Sequence, residues 1–231
     1  MQQPNQEETY DNQAQDFAEH APQLMTWKYV GMPALDKNID YNPDLRIFDQ
    51  GSASARLEQH FLTKGLEPRN MLGVEISNEQ VKIAKRLIPH ASFVHGDIRT
   101  YEPEAESFDY AVSHMVYEFL DNDGLLDTLK NAHKGLKKSG KLVYVVTHPE
   151  KMAHQGHKPG WFETYAPWGG TVGNYCRSVD EFINITLDAG FEGVGLDHLK
   201  IPLAARAESV ERYKHYNNYP YIRLCITATK E

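Results

Sequence analysis

Cysteine is nearly absent: Cys176 and Cys225 are the only two in 231 residues. A disulfide framework is therefore unsupported, and a reducing cytoplasm is the expected compartment. Long apolar runs are missing too. None approaches the roughly 20 residues that cross a bilayer, so no membrane partner is expected. The opening residues, MQQPNQEETYDNQAQ, have neither a basic start nor an apolar stretch, which argues against a secretory signal. Positive charge is in deficit. A formal balance of -8 disfavours a nucleic-acid backbone as the main partner, since that needs a basic surface. The one lysine-rich stretch, KGLKKSGK at 134–141, reads as a helix C-terminus, where lysines suit the helix dipole. Internal repeats and low-complexity linkers are absent as well.

What is present is 41% hydrophobic residues in a chain long enough for one α/β domain with a full core. After a polar start, apolar and aromatic residues from Tyr10 to Leu35 predict one or two short helices. Strand and helix then alternate. Residues 45–49 read as a strand and 54–64 as a helix; 71-MLGVEI-76 is a second strand. Ser77 with Gln80 starts a helix that carries Val81, Ala84, Leu87 and Ile88 on one face. Further strands are expected at 91–97, 108–113 and 141–147, with a helix capped by Asp121 or Asp123 before the last and stopping near Gly140. Residues 148–177 show no period and read as a long loop. Ser178 with Glu181 opens one more helix, and β-like segments near 191–201 and 219–229 close the chain. This alternation predicts a doubly wound, mostly parallel sheet, in which ligands bind at the carboxyl ends of the strands.

Those ends carry the chemistry. The first strand runs into 49-DQGSASA-55, the second ends on Glu75, the third leads to 96-GDI-98, and the fourth ends on Ser113 and His114. An acid ending the second strand suits a ribose diol. A nicotinamide dinucleotide would require glycines where this turn has Ala53 and Ala55. Asp49, two residues before Gly51, would also repel a pyrophosphate; it suits a ligand with an amino or sulfonium cation.

Taken in order, 49-DQGSASA-55, Glu75, 96-GDI-98, 108-FDYAVS-113 and 135-GLKKSGKLV-143 resemble the class I S-adenosylmethionine-dependent methyltransferases across residues 45–147. Segments 10-YDNQAQDF-17 and 175-YCRSVDEFINITLDAGF-191 are similar to small-molecule members. The resemblance implies a seven-stranded Rossmann-like fold at 36–231, an N-terminal helical lid at 1–35, and substrate-side insertions at 148–177 and 202–218. It implies S-adenosyl-L-methionine as cofactor and a small-molecule acceptor, with the protein a monomer or homodimer. By position, Glu75 would bind the ribose, Ile76 would lie on the adenine face, and Asp97 with Ile98 would meet the adenine amino group. Gly51, Ser52 and Ala53 would lie under the methionine part. Asp49 would hold the turn and favour the amino group, with Ser113 and His114 completing that end. Tyr10 resembles a lid tyrosine.

The candidate bases are His148 and His114, with His154 and Tyr117 behind them. His148 lies just past the fifth strand, where an acceptor docks. Tyr117, His148, Trp161, Tyr165 and Trp168 are the candidate substrate contacts, the last three aromatics forming a flat apolar slot. No metal is expected: His148, His154, His157, Glu150 and Glu163 share a stretch but follow no familiar ligand spacing. Two alternatives stay open. One is an idle binding module, which Ala53 and Ala55 would suit; the other is a rearrangement enzyme using the same cofactor.

Overall fold

A computed structural model describes residues 5–166 and 169–231. The N-terminal region comprises α1 (Gln6–Asn12), α2 (Ala14–His20), a 3-10 turn (Ala21–Gln23), a π-helical turn (Trp27–Gly31) and α3 (Met32–Asn38). Asn5 caps α1 by accepting from the Glu8 amide. The alternating region follows as β1 (Ile47–Gln50), α4 (Arg56–Thr63), β2 (Met71–Glu75), α5 (Asn78–Leu87), β3 (Ser92–His95), β4 (Phe108–His114), α6 (Asn122–Gly135) and β5 (Leu136–Thr147). Then come α7 (Pro149–His154), β6 (Gly160–Tyr165), β7 (Thr171–Cys176), α8 (Val179–Asp188), β8 (Glu192–Leu199), α9 (Val210–Asn217) and β9 (Arg223–Thr229).

The main sheet has seven strands in the order β3-β2-β1-β4-β5-β9-β8. The first five in sequence pair in parallel; β9 runs antiparallel to both β5 and β8. The order reverses between β1 and β4, which places the switch-point crevice there.

Alternation along the strands sorts the core into two layers. Ala111, Leu142, Tyr144 and Val146 face one side, with Leu125, Leu129 and Ala132 of α6 and Phe182 of α8. Tyr110, Val112, Val143 and Val145 face the other, with Leu35 of α3 and Leu57 and Phe61 of α4. The cap signals act where the sequence places them: Ser77, Asp121 and Ser178 each accept from a backbone amide of their helix, Ser178 within a full capping box.

Two expectations need correction. Residues 148–177 are not an open loop: they hold α7 and the two-stranded β6–β7 ribbon. Their turn-rich composition hid a hairpin whose outer face is wet. The helix before β5 ends at Gly135 rather than Gly140, and pairing of Leu136 with Phe108 starts the strand early, across a register shift. No helix among the described residues is long and apolar enough to cross a membrane.

Candidate active site

β1 delivers Asp49 to the switch point with only 1% of its surface exposed. Glu58, on α4, is equally buried and lies against it, and apart from each other neither carboxyl has a hydrogen-bonding side-chain partner among the described residues. Burial, together with the neighbouring Glu58 and Glu75 carboxyls, pushes Asp49 well above the ordinary range. Burial likewise pushes Glu58 up. Two adjacent buried acids with no ion-paired cation among the described residues are an incomplete arrangement. A ligand ammonium or sulfonium would complete it.

The turn after β1 is strapped to β2. The Gly51 and Ser52 amides donate to the Val74 carbonyl at 2.8 and 3.2 Å, and the Ala53 amide donates to Glu75 Oε2 at 3.0 Å. Glu75 Oε1 accepts from the Ser77 amide at 2.9 Å. Glu75 therefore pins the turn and still faces the cavity. Gly51 has φ of +91°, and a Cβ there would lie 2.4 Å from Val116 Cγ2. Ala53 and Ala55 adopt φ of 45° and 65°. The turn thus takes a left-handed path that glycine follows freely, at a cost of roughly 1–2 kcal/mol per alanine.

The cavity these groups line has a volume of about 780 Å³. Ile76, Asp97 and Ile98 bound one end of it. Asp97 is engaged by Arg99, whose Nε donates to Oδ1 and Oδ2 at 3.0 and 2.9 Å. Burial pushes the Asp97 carboxyl up, but the Arg99 hydrogen bonds outweigh it and hold it below the ordinary value. The roof comes from Tyr10, Phe17, Leu24 and Trp27 of the N-terminal region and from Thr164, Tyr165, Val172 and Asn174 of the β6–β7 ribbon. Trp27 packs edge-on against His114, with ring centroids 4.5 Å apart, and Arg56 lies 4.1 Å over its ring. Gly31 makes this approach feasible: a Cβ there would sit 2.1 Å from His114 Nε2.

The comparisons with known proteins fit this geometry. Residues 47–140 match the methyltransferase domain family. That match runs from β1 into β5. Solved structures share the fold at low identity. An S-adenosylmethionine-dependent methyltransferase from Mesorhizobium loti is 17% identical, with TM-score 0.71 over 90% of this chain and 98% of its own. A TehB-like methyltransferase from Corynebacterium glutamicum is 19% identical, with TM-score 0.61 over 95% and 99%. The Haemonchus contortus phosphoethanolamine N-methyltransferase 2, solved with S-adenosyl-L-methionine, is 16% identical, with TM-score 0.59 over 86% of this chain and 51% of its own. No curated protein matches the sequence.

The structure brings Tyr10, Asp49, Gly51, Ser52, Ala53, Glu75, Ile76, Asp97, Ile98 and His114 around one cavity. Ser113 lies beneath it, its Oγ donating to the Gln50 carbonyl at 2.8 Å. His114 is half-buried, with Nε2 itself buried and unpartnered among the described residues, and desolvation, with Arg223 and Arg56 adding to it, pushes its pKa down to about 3.

Three candidate substrate residues are elsewhere. Thr147 faces the cavity, so the next residue along, His148, points away. His148 Nε2 lies 2.8 Å from His198 Nδ1, while its Nδ1 accepts from the Glu150 amide and caps α7. Tyr117 is fully buried and donates to Gln50 Oε1 at 2.5 Å. Trp161 packs on Tyr175 within the β6–β7 ribbon, away from the cavity. Tyr165, 78% exposed, sits at the cavity's edge. Trp168 lies outside the described residues. His154 packs against Tyr219, and His157 stacks on Phe162.

Several charged groups in or beside the site went unforeseen: Arg56, Glu58, Glu118, Lys151 and Arg223. The cavity is lined by Arg56, Glu118, Lys151 and Arg223, while Glu58 stands behind Asp49. A signal existed in 116-VYEFL-120 and 222-IRL-224, where one charge interrupts an apolar run. Glu58 and Lys151 had no such signal, because each reads as an ordinary polar helix position.

Proposed function

We propose that this protein transfers the methyl group of S-adenosyl-L-methionine to a nitrogen, oxygen or carbon atom of a small-molecule acceptor, by in-line displacement. The observation that carries the reading is the roofed cavity. Its volume falls within the range of about 300–1,000 Å³ typical of small-molecule sites. Residues of α1, α2 and the β6–β7 ribbon cover it in part, which suits a small acceptor better than a macromolecule. Residues 1–35 then act as a lid, and 148–177 with 202–218 as the acceptor-side wall.

When bound, the sulfonium supplies an activated methyl group. The protein's task is to orient and to exclude water. Asp49 would face the methionine ammonium, and Glu75 the ribose hydroxyls. Arg56, half-buried at the head of α4 with Nη1 unpartnered, would meet the methionine carboxylate. Glu118 is the better proton acceptor. It is 1% exposed, Oε2 is unpartnered, and burial pushes its carboxyl up. His114, depressed to about 3, is too weak a base to compete. Glu118 Oε2 would take the proton that an acceptor N–H or O–H loses as its lone pair forms the new bond to the methyl carbon.

The test is a panel of small amines, phenols, carboxylic acids and carbon acids incubated with protein and cofactor. Mass spectrometry reads the gain of one methylene, and S-adenosylhomocysteine is measured in parallel. A methylated acceptor is expected, with Glu118→Gln lowering kcat while cofactor affinity stays unchanged. Cofactor binding without a methylated product from any class would contradict the reading.

A further inference from the structure

Among the described residues, the acceptor half of the cavity sets two cations, Arg223 and Lys151, against one carboxylate, Glu118. Arg223 opens β9 opposite Thr147, and Lys151 follows on α7. Strands β4 and β5 separate β9 from the turn at β1. At about 4.8 Å per strand, Arg223 lies roughly 14 Å from that turn, beyond the cofactor's half.

Arg223 is 8% exposed and donates to neutral acceptors only: Nη1 to the Ile222 carbonyl at 2.9 Å and to Thr147 Oγ1 at 3.5 Å, Nη2 to Thr26 Oγ1 at 3.2 Å. Its Nε has no partner among the described residues. Lys151 Nζ lies 5.5 Å over the Tyr219 ring. Burial, with Arg223 nearby adding to it, pushes the Lys151 amine down to about 8. Among the described residues neither cation forms an ion pair. Glu118 is the acid of this half: its Oε1 accepts from Thr147 Oγ1 at 3.2 Å, and its Oε2 has no partner. Two cations face one carboxylate, and His114 is neutral. A strap joining Thr26 to the sheet accounts for part of the Arg223 fork; it leaves the net positive charge unexplained. Buried charge without a counter-charge is costly, and a cavity that holds it is complementary to an anion.

Resting on the methyl-transfer reading, we propose that the acceptor carries a carboxylate or a phosphate and that Arg223 and Lys151 hold this anion. Trp27 and Tyr216, which also line the cavity, offer ring surface to the remainder of the molecule.

The test titrates protein saturated with S-adenosylhomocysteine by calorimetry, using benzoate, phenyl phosphate, benzyl alcohol and benzylammonium as probes. At least one anion should bind about tenfold tighter than the alcohol and the ammonium, and the tighter of the two identifies the group. Lys151→Gln should weaken that anion about tenfold and leave S-adenosylhomocysteine affinity within about twofold. Arg223→Gln should do the same. If that variant fails to fold, the half-buried Lys151 decides alone. Anions that bind no tighter than the alcohol, or a Lys151→Gln variant that binds them as the natural protein does, would overturn the proposal. A protein that does not take up S-adenosylhomocysteine fails before any probe is added; that overturns the methyl-transfer reading, and this proposal with it.

Discussion

Replacing Glu58 by Gln tests the acidic pair under the turn. Burial raises the Glu58 carboxyl from 4.5 to about 7. In the unfolded chain it titrates near its ordinary value, so between those two pH values the folded state binds the extra proton. Stability therefore falls as pH rises through that window, and the loss is complete above about pH 7. At 1.36 kcal/mol per pH unit the rise is worth about 3 kcal/mol. Asp49 shares the proton, so about 1–3 kcal/mol is left for the variant to recover. Urea denaturation at pH 5 and pH 8 gives the assay. Glu58→Gln should gain about 1–3 kcal/mol on the natural protein between the two conditions. His114 and His148, depressed to about 3 and about 4, work in the opposite direction. Their effect is common to both proteins and cancels in the difference. If the two proteins keep the same stability gap at both pH values, within about 0.5 kcal/mol, the pair does not share a raised proton and the reasoning fails.

Other substitutions separate strain, packing and chemistry. Ala53→Gly should stabilise by about 0.5–1 kcal/mol, because relief of the left-handed strain exceeds glycine's extra unfolded entropy. Ala55→Gly should be near neutral, because the buried Ala55 methyl also packs with Val81 and Phe93; thermal denaturation of both variants checks the contrast. His148→Asn should leave turnover and cofactor affinity within about twofold while costing about 1–2 kcal/mol of stability through its lost hydrogen bonds. A large loss of turnover in that variant would return His148 to the reaction.

The sheet was legible because its signals are local. Alternating runs such as 141-KLVYVVT-147 and caps such as Ser178 with Glu181 depend on neighbours in sequence. The β6–β7 ribbon was not legible, since Gly, Pro and aromatic residues mask its register. The cofactor half of the site was legible for a topological reason: a parallel sheet gathers its strand ends, so Asp49, Glu75 and Asp97 had to converge. The acceptor half was not. Arg223 and Lys151 come from an antiparallel strand and a short helix, whose placement depends on tertiary packing. His148 shows the limit of counting residues past a strand, because one step along the chain reverses the side a residue faces.

The most direct test of the acid rim is calorimetric titration of S-adenosylhomocysteine, in two buffers of different ionisation enthalpy, into the natural protein and Asp49→Asn. The natural protein should bind and release protons near neutral pH, as the ligand's ammonium lowers the raised carboxyls. Asp49→Asn should bind at least about tenfold more weakly and release fewer protons. Equal affinity in the two proteins, with heats independent of the buffer, would contradict the account.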